Sequence, residues 1–271
     1  QPIRSGDTWL VVNGELYNYL ELRKQLVSSG RRFSTESDSE VLAAVIDQDG
    51  TLGLDRCEGM WAFAAFREAS EEVILCRDRF GEKPIHLFRT SHGIYFASEV
   101  KALFALLGER IGVDMEHLMR YVTCSYKSLY KRQNSFFKGV EELPPGRLVS
   151  IDSDGVEREE TYWSPAITPD HEMGVEEAIA GTRERLIRAV ELRLRADVPI
   201  AFCMSGGIDS VSLISIARRI FDYDVHGFTI VNTDSRYEES ETVAHAVAEL
   251  DIQHTSIPLE SSGFLSRLRE L

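Results

Sequence analysis

The run Pro199-Ile-Ala-Phe-Cys-Met-Ser205-Gly206-Gly207-Ile-Asp209-Ser210 sets an apolar stretch directly before a Ser-Gly-Gly turn, and an apolar segment with helical spacing, Val211–Phe221, follows it. A strand that ends in such a turn and feeds a helix is an anion cradle in outline. The first N–H groups of a helix have no intrahelical partner and carry partial positive charge. Glycines let the backbone come close to a ligand and tolerate positive φ. The Gly-Lys-Ser/Thr ending of a Walker loop is missing, so a different nucleotide chemistry is implied. The plainer alternative is an ordinary Gly-Gly turn, and the surroundings weigh against it. Val198 to Met204, Val225 to Val231 and Ile252 to Ile257 read as buried strands, with helical segments at Val211–Phe221 and Ser240–Leu250 between them. Strands that alternate with helices predict βαβ units and a parallel sheet. Ligands of such sheets sit beyond the carboxyl ends of the strands, where this loop lies.

Upstream the grammar changes. Trp9 to Val12, Met60 to Phe66, Glu72 to Cys76, Ile85 to Arg89 and Ile94 to Ala97 suit short antiparallel strands, while Tyr17–Ser28, Ser39–Gln48 and Lys101–Leu107 have helical spacing. That mixture predicts an α+β domain of layered antiparallel sheets with helices on a sheet face. Between the halves, Trp163-Ser-Pro-Ala-Ile-Thr-Pro-Asp carries two prolines and reads as a linker. Residues 1–164 and 175–271 are thus expected as two domains. The second opens on a helix from Val175 to Ala196, with Ile179, Leu186, Ile187, Val190 and Leu194 on one stripe.

Bulk properties narrow the function. The chain has 271 residues, 43% hydrophobic and 27% charged, and a formal charge of −14. Such acidity disfavours a general affinity for nucleic acid, and no apolar run suits a membrane span. A cytoplasmic protein is expected, with no nucleic-acid or membrane partner. Cys57, Cys76, Cys124 and Cys203 lack metal-ligand spacing and read as buried thiols in a reducing compartment.

The first half also contains, in order, Asn13-Gly-Glu-Leu-Tyr-Asn18, Ser37-Asp-Ser-Glu40, Asp78-Arg-Phe-Gly-Glu-Lys-Pro84, Phe96-Ala-Ser-Glu-Val-Lys101 and Leu143-Pro-Pro-Gly146, followed by Arg195-Ala-Asp-Val-Pro and the Ser205-Gly-Gly-Ile-Asp-Ser210 loop. The loop resembles the PP-loop of the ATP pyrophosphatases. The ordered set resembles glutamine-hydrolysing asparagine synthetases and their close relatives. This resemblance implies an Ntn-hydrolase-like, class II glutamine amidotransferase domain followed by the first part of an α/β PP-loop synthetase domain.

It also implies roles. Asn13 and the Gly14 N–H would form an oxyanion hole, and Glu15 and Asp38 would hold the α-ammonium of glutamine. Ser205, Gly206, Gly207 and Ser210 would cradle the pyrophosphate of ATP, Asp209 would bind Mg²⁺, and Cys203, Met204 and Ile230 would enclose adenosine. The residues alone leave other readings open: a hairpin turn at Asn13-Gly14, a helix N-cap at Asp38, plain sheet core at Cys203, Met204 and Ile230. Asp78-Arg-Phe-Gly-Glu-Lys-Pro84 reads as a structural turn. Tyr237-Glu238-Glu239 partly matches an acidic pair of the family but fits a helix start better.

The implied activity is ATP-dependent amidation of a carboxylate, aspartate by family default, through an acyl-adenylate. Ammonia would come from glutamine along a shielded route, and a homodimer is left open. The chain departs from the family at both ends. It starts at Gln1, not at a nucleophilic cysteine, and stops at Leu271, before the family's later motifs, so the polypeptide as given is expected not to hydrolyse glutamine. A β-lactam-synthetase-like cyclase or a non-catalytic nucleotide-binding remnant are the alternatives. Cys203-Met204 and Ser125-Tyr-Lys-Ser-Leu-Tyr-Lys-Arg leave room for another acceptor acid.

Overall fold

The computed structural model describes residues 1–124, 135–231 and 239–258, and the chain divides into two units, Gln1–Thr168 and Pro169–Leu271. The first unit is built on a six-stranded sheet. Its members are β1 (Ile3–Ser5), β2 (Thr8–Leu16), β3 (Gly59–Arg67), β4 (Glu72–Arg77), β8 (Arg147–Ile151) and β9 (Glu157–Thr161), hydrogen-bonded in that order. Every pairing is antiparallel. The central strand β3 is apolar on both faces because both are covered. Trp61, Phe63 and Ala65 pack against α1 (Tyr19–Ser28) and α2 (Asp38–Asp49), while Ala62 and Ala64 meet Ile85, Leu87 and Leu143. Those last residues belong to or flank a second sheet of β6 (Gly93–Ala97), β5 (His86–Thr90) and β7 (Val140–Glu142). The layers are therefore helices, sheet and sheet. Strand β9 is exposed throughout and its sequence, Glu-Arg-Glu-Glu-Thr, is charged, which discourages pairing at that edge. The unit also holds two further α-helices among the described residues, α3 (Val100–Leu107) and α4 (Met115–Cys124).

The turn after β4 joins the layers. Asp78 is fully buried, and its carboxylate accepts from the amides of Phe80, Glu82 and Lys83 at 2.9, 3.0 and 2.9 Å. Arg77 donates to the carbonyls of Gly81, Lys83 and Leu143 at 2.7, 2.8 and 2.7 Å and pairs with Glu142 at 2.8 Å. A buried charge is tolerable only when its hydrogen-bonding capacity is filled in this way. The turn is structural, and Gly81 takes the left-handed φ of 67° that the bend requires.

The second unit contains α5 (Val175–Arg193) and a parallel sheet of β10 (Ala201–Cys203), β11 (His226–Val231) and β12 (Gln253–Pro258), with α6 (Ile208–Arg219) and α7 (Ser240–Leu250) between the strands. Its core gathers Val190, Met204, Ile214, Ala217, Val225, Val243, Ala246 and Leu250.

Several expectations change. The hairpin turn considered at Asn13-Gly14 does not form, because β2 runs straight through both residues opposite Ala62 and Trp61. Strand β10 is shorter than the apolar run, and α5 stops at Arg193 rather than Ala196. Its stripe is buried only towards the carboxyl end: Val190 is 7% exposed, but Ile179 is 57%. Cys57 and Cys76 are buried as expected; Cys124 and Cys203 are exposed, and all four thiols are free. Sequence reading missed β1, β7, β8, β9 and α4, all short or polar. Tyr237, Glu238 and residues 125–132 lie outside the described residues.

Candidate functional site

The first site lies on the free edge of β2. Strand β1 pairs with Thr8, Trp9 and Leu10, so among the described residues β2 beyond Leu10 has β3 on one side and no strand on the other. Along an antiparallel strand, successive residues turn their N–H and C=O to opposite sides. Val12 turns to the free side: its N–H donates to Gln1 Oε1 and its C=O accepts from Gln1 Nε2, both at 2.8 Å. Leu16 does the same, with its N–H on Asp38 Oδ2 at 2.8 Å. Gly14 stands midway, so its N–H also points off the edge. It opens on a small cleft lined by Gly14, Glu15, Asp38, Ser39, Met60 and Trp61, among others. Only glycine fits there, since a Cβ would lie 2.7 Å from Trp61 Cα and collide with the Met60 carbonyl.

Asp38 is the first residue of α2 rather than its cap. The cap is Ser37, whose hydroxyl accepts from the Ser39 amide at 3.2 Å. The Asp38 carboxylate is thereby free to hold the Leu16 amide, and it stands at the positive end of α2. The loop that delivers it is fixed by Glu40, which accepts from the Ser34 and Thr35 amides at 2.8 and 2.7 Å and from Thr35 Oγ1 at 2.6 Å. Burial alone would raise the Glu40 pKa, but the Thr35 and Ser34 hydrogen bonds and nearby Arg23 outweigh it and hold the carboxyl below its usual range. Arg23 itself donates to the carbonyls of Thr35 and Ser37. The structure thus brings Gly14, Glu15 and Asp38 together. Asn13 is exposed, with its Cα opposite Ala62, and is not among the residues that line the cleft. No cysteine lines it either. Burial pushes the Cys57 thiol up to about 12 and raises Cys76 as well, so both are inert.

The second site lies just past β10. Three consecutive amides there all meet side-chain acceptors: Ser205 N–H to Ser210 Oγ at 3.1 Å, Gly206 N–H to Glu239 Oε2 at 2.8 Å, and Gly207 N–H to Ser205 Oγ at 3.2 Å. Side chains can yield to an incoming anion without breaking the strand ladder. At Gly206 a Cβ would stand 3.1 Å from Thr242 Cβ and 3.2 Å from Glu239 Cβ, so the loop is close against the start of α7. Asp209 lies exposed in the first turn of α6. Among the described residues no group of three or more His, Cys, Asp or Glu could hold a metal. A lone carboxylate at a helix N-terminus would suit Mg²⁺ only with a phosphate ligand beside it, since that ion takes one or two protein carboxylates and completes its shell with phosphate oxygens and water.

At the strand ends, Cys203 and Ile230 are exposed, while Met204 is 4% exposed. The Met204 N–H donates to the Phe228 carbonyl at 2.8 Å and its C=O accepts from Thr229 Oγ1 at 2.7 Å, so its backbone is fully engaged within the sheet. Thr229 has one hydroxyl proton and gives it to Met204, so His254 Nε2, 2.9 Å away, must be the donor to Thr229 Oγ1. Sequence reading missed this Thr229–His254 pair, which no motif announces. It weighed Glu239 as part of a family acidic pair and preferred a helix start, whereas its side chain makes no cap bond and reaches the Gly206 amide instead.

The family model for the glutamine amidotransferase domain matches residues 1–163, and that for asparagine synthase matches residues 181–271. The chain belongs to the glutamine-hydrolysing asparagine synthetase family. Among its relatives in this family, asparagine synthetase [glutamine-hydrolyzing] 1 of Bacillus subtilis is 29% identical over 100% of this chain and 42% of its own length. Asparagine synthetase [glutamine-hydrolyzing] 2 of the same organism is 31% identical over 92% of this chain and 34% of its own. Amidase chyE of Penicillium rubens is 33% identical over 79% and 31%. The chain therefore spans less than half the length of these relatives. Among solved structures, the glutamine phosphoribosylpyrophosphate amidotransferase of B. subtilis matches with a TM-score of 0.44 at 18% identity, covering 100% of this chain and 52% of that one.

Proposed function

We propose that the chain carries the glutamine-binding cleft and the phosphate loop of an enzyme that uses ATP and glutamine to amidate a carboxylate, with aspartate as the default acceptor. The observation that carries this reading is the Ser205–Gly207 turn, where three successive amides point to replaceable side-chain acceptors at a helix N-terminus. Such donors suit the departing pyrophosphate when the acceptor carboxylate attacks the α-phosphate and forms an acyl-adenylate. Asp209 would hold Mg²⁺, whose chemistry is to neutralise phosphate charge. Cys203 and Ile230 would border the adenosine, and Met204 would support them from the core.

The β2 edge supports the glutamine half. The N–H groups of Gly14 and Leu16 stand two residues, or about 6.8 Å, apart along the strand. One donor is open to the amide oxygen of glutamine, and the other holds the Asp38 carboxylate that would take the α-ammonium. Glu15 would join Asp38 there. A cleft built this way favours glutamine use over a cyclase with no need for it.

Calorimetry on the full chain tests both halves. MgATP is expected to bind and inorganic pyrophosphate to compete with it. ATP binding that pyrophosphate leaves untouched overturns the reading of the loop. Glutamine is expected to bind wild type at least about tenfold more tightly than Asp38→Ala, since a charge-assisted hydrogen bond is lost. Equal affinities overturn the reading of the cleft.

A further inference from the structure

We propose that Glu239 is an internal anion that holds the phosphate loop before nucleotide arrives and makes entry depend on metal-complexed phosphate. This rests on the reading of the Ser205–Ser210 loop as a phosphate cradle. The Glu239 carboxylate takes the Gly206 N–H at 2.8 Å, the middle one of three consecutive amides. It comes from the residue immediately before α7, a separate strand-to-helix connection, and it spends no bond on capping its own helix. The flanking amides are taken by the hydroxyls of Ser210 and Ser205, which are neutral and can rotate away or turn donor toward a phosphate oxygen. Glu239 can do neither. As an ionised carboxylate it only accepts, and a phosphate oxygen seeking the same N–H meets a like charge at hydrogen-bonding distance.

Two consequences follow from the chemistry. A free phosphate or pyrophosphate must displace the carboxylate against charge repulsion, in a chain that already carries a formal charge of −14. A phosphate group that arrives with its charge offset by a divalent cation meets much less repulsion. Glu239 therefore discriminates against uncomplexed anions, such as inorganic phosphate, in favour of metal-complexed nucleoside triphosphate. The loop's glycine contributes by proximity, since the Gly206 Cα lies close enough to α7 that an added Cβ would stand 3.2 Å from Glu239 Cβ.

The test compares wild type, Glu239→Gln and Glu239→Ala in the full chain, with circular dichroism to confirm the fold of each. Affinity for pyrophosphate is measured by calorimetry with a chelator and again with excess Mg²⁺. Without metal, both variants are expected to bind pyrophosphate about tenfold more tightly than wild type, with alanine, which also clears the amide, at least as tight as glutamine. With Mg²⁺ the gain shrinks to about twofold or less. Unchanged or weakened metal-free binding in both variants overturns the role of Glu239, provided wild type binds MgATP competitively with pyrophosphate. If no form binds pyrophosphate or MgATP, the phosphate-loop reading falls and takes this inference with it. A second readout is the Gly206 amide resonance: pyrophosphate should shift it in wild type, because its acceptor changes. A Gly206 signal that stays in place while pyrophosphate binds overturns the displacement.

Discussion

At the scale of single residues, the chain shows how a charged group takes its meaning from its surroundings. Asp38, Asp78 and Glu239 are all carboxylates that accept backbone N–H groups. Asp78 is sealed inside its turn and organises it, Asp38 faces a cleft, and Glu239 covers amides that another anion would want. Asp78→Ala leaves the amides of Phe80, Glu82 and Lys83 without their buried acceptor, and should cost about 3 kcal/mol in urea unfolding of the first unit. A loss under about 1 kcal/mol would mean water replaces the carboxylate. The thiols give a second prediction. At pH 8 a disulfide reagent should modify Cys124 and Cys203 quickly in the native chain, whereas Cys57 and Cys76 should react only on unfolding. The raised Cys57 pKa also fixes a sign. The folded state keeps that proton up to about pH 12, while the unfolded thiol loses it near its ordinary value of 9.0, so stability falls as pH rises through that window.

At the scale of elements, the pairing pattern matters more than any one side chain. Strand β2 has a free edge because its pairing with β1 ends at Leu10, and alternation turns the peptide groups of residues 12, 14 and 16 to that same side. Gly14→Ala should push β2 from β3 at Trp61 and weaken glutamine binding and stability together, the latter by about 1–3 kcal/mol. In the second unit, Thr229→Val takes the hydroxyl from the buried Met204 carbonyl and from the half-buried His254 Nε2, an expected loss of about 1–3 kcal/mol that Thr229→Ser should largely restore. A harmless valine would show that the pair is dispensable. Glu40 ties the loop before α2. Its carboxyl sits below the ordinary range in the folded state, so its contribution is present above that range and is lost on acidification, as urea unfolding between pH 5 and pH 3 would report.

At the scale of the whole molecule, the two units have separate cores, and the segment between them carries exposed residues from Ser164 to Gly174. Limited proteolysis should cut there first and release two fragments; primary cleavage inside a sheet would contradict the division. Among the described residues no helix is long and apolar enough to cross a membrane, in keeping with the absence of any long apolar run. What the sequence determined by itself was local or periodic. The order of strands and helices around Ser205–Ser210 and the structural turn at Asp78 were both legible, because strand alternation, helical spacing, glycine and proline act over a few residues. So was the family, from motifs in a fixed order. Only the tertiary structure decided which amides of β2 face outward, that Asp38 holds Leu16 instead of capping a helix, that Cys203 lies exposed beside buried Met204, and that Glu239 reaches Gly206 across 33 positions. Each of these depends on which strand lies beside which and where it ends, and such long-range pairings leave no period in the chain that makes them.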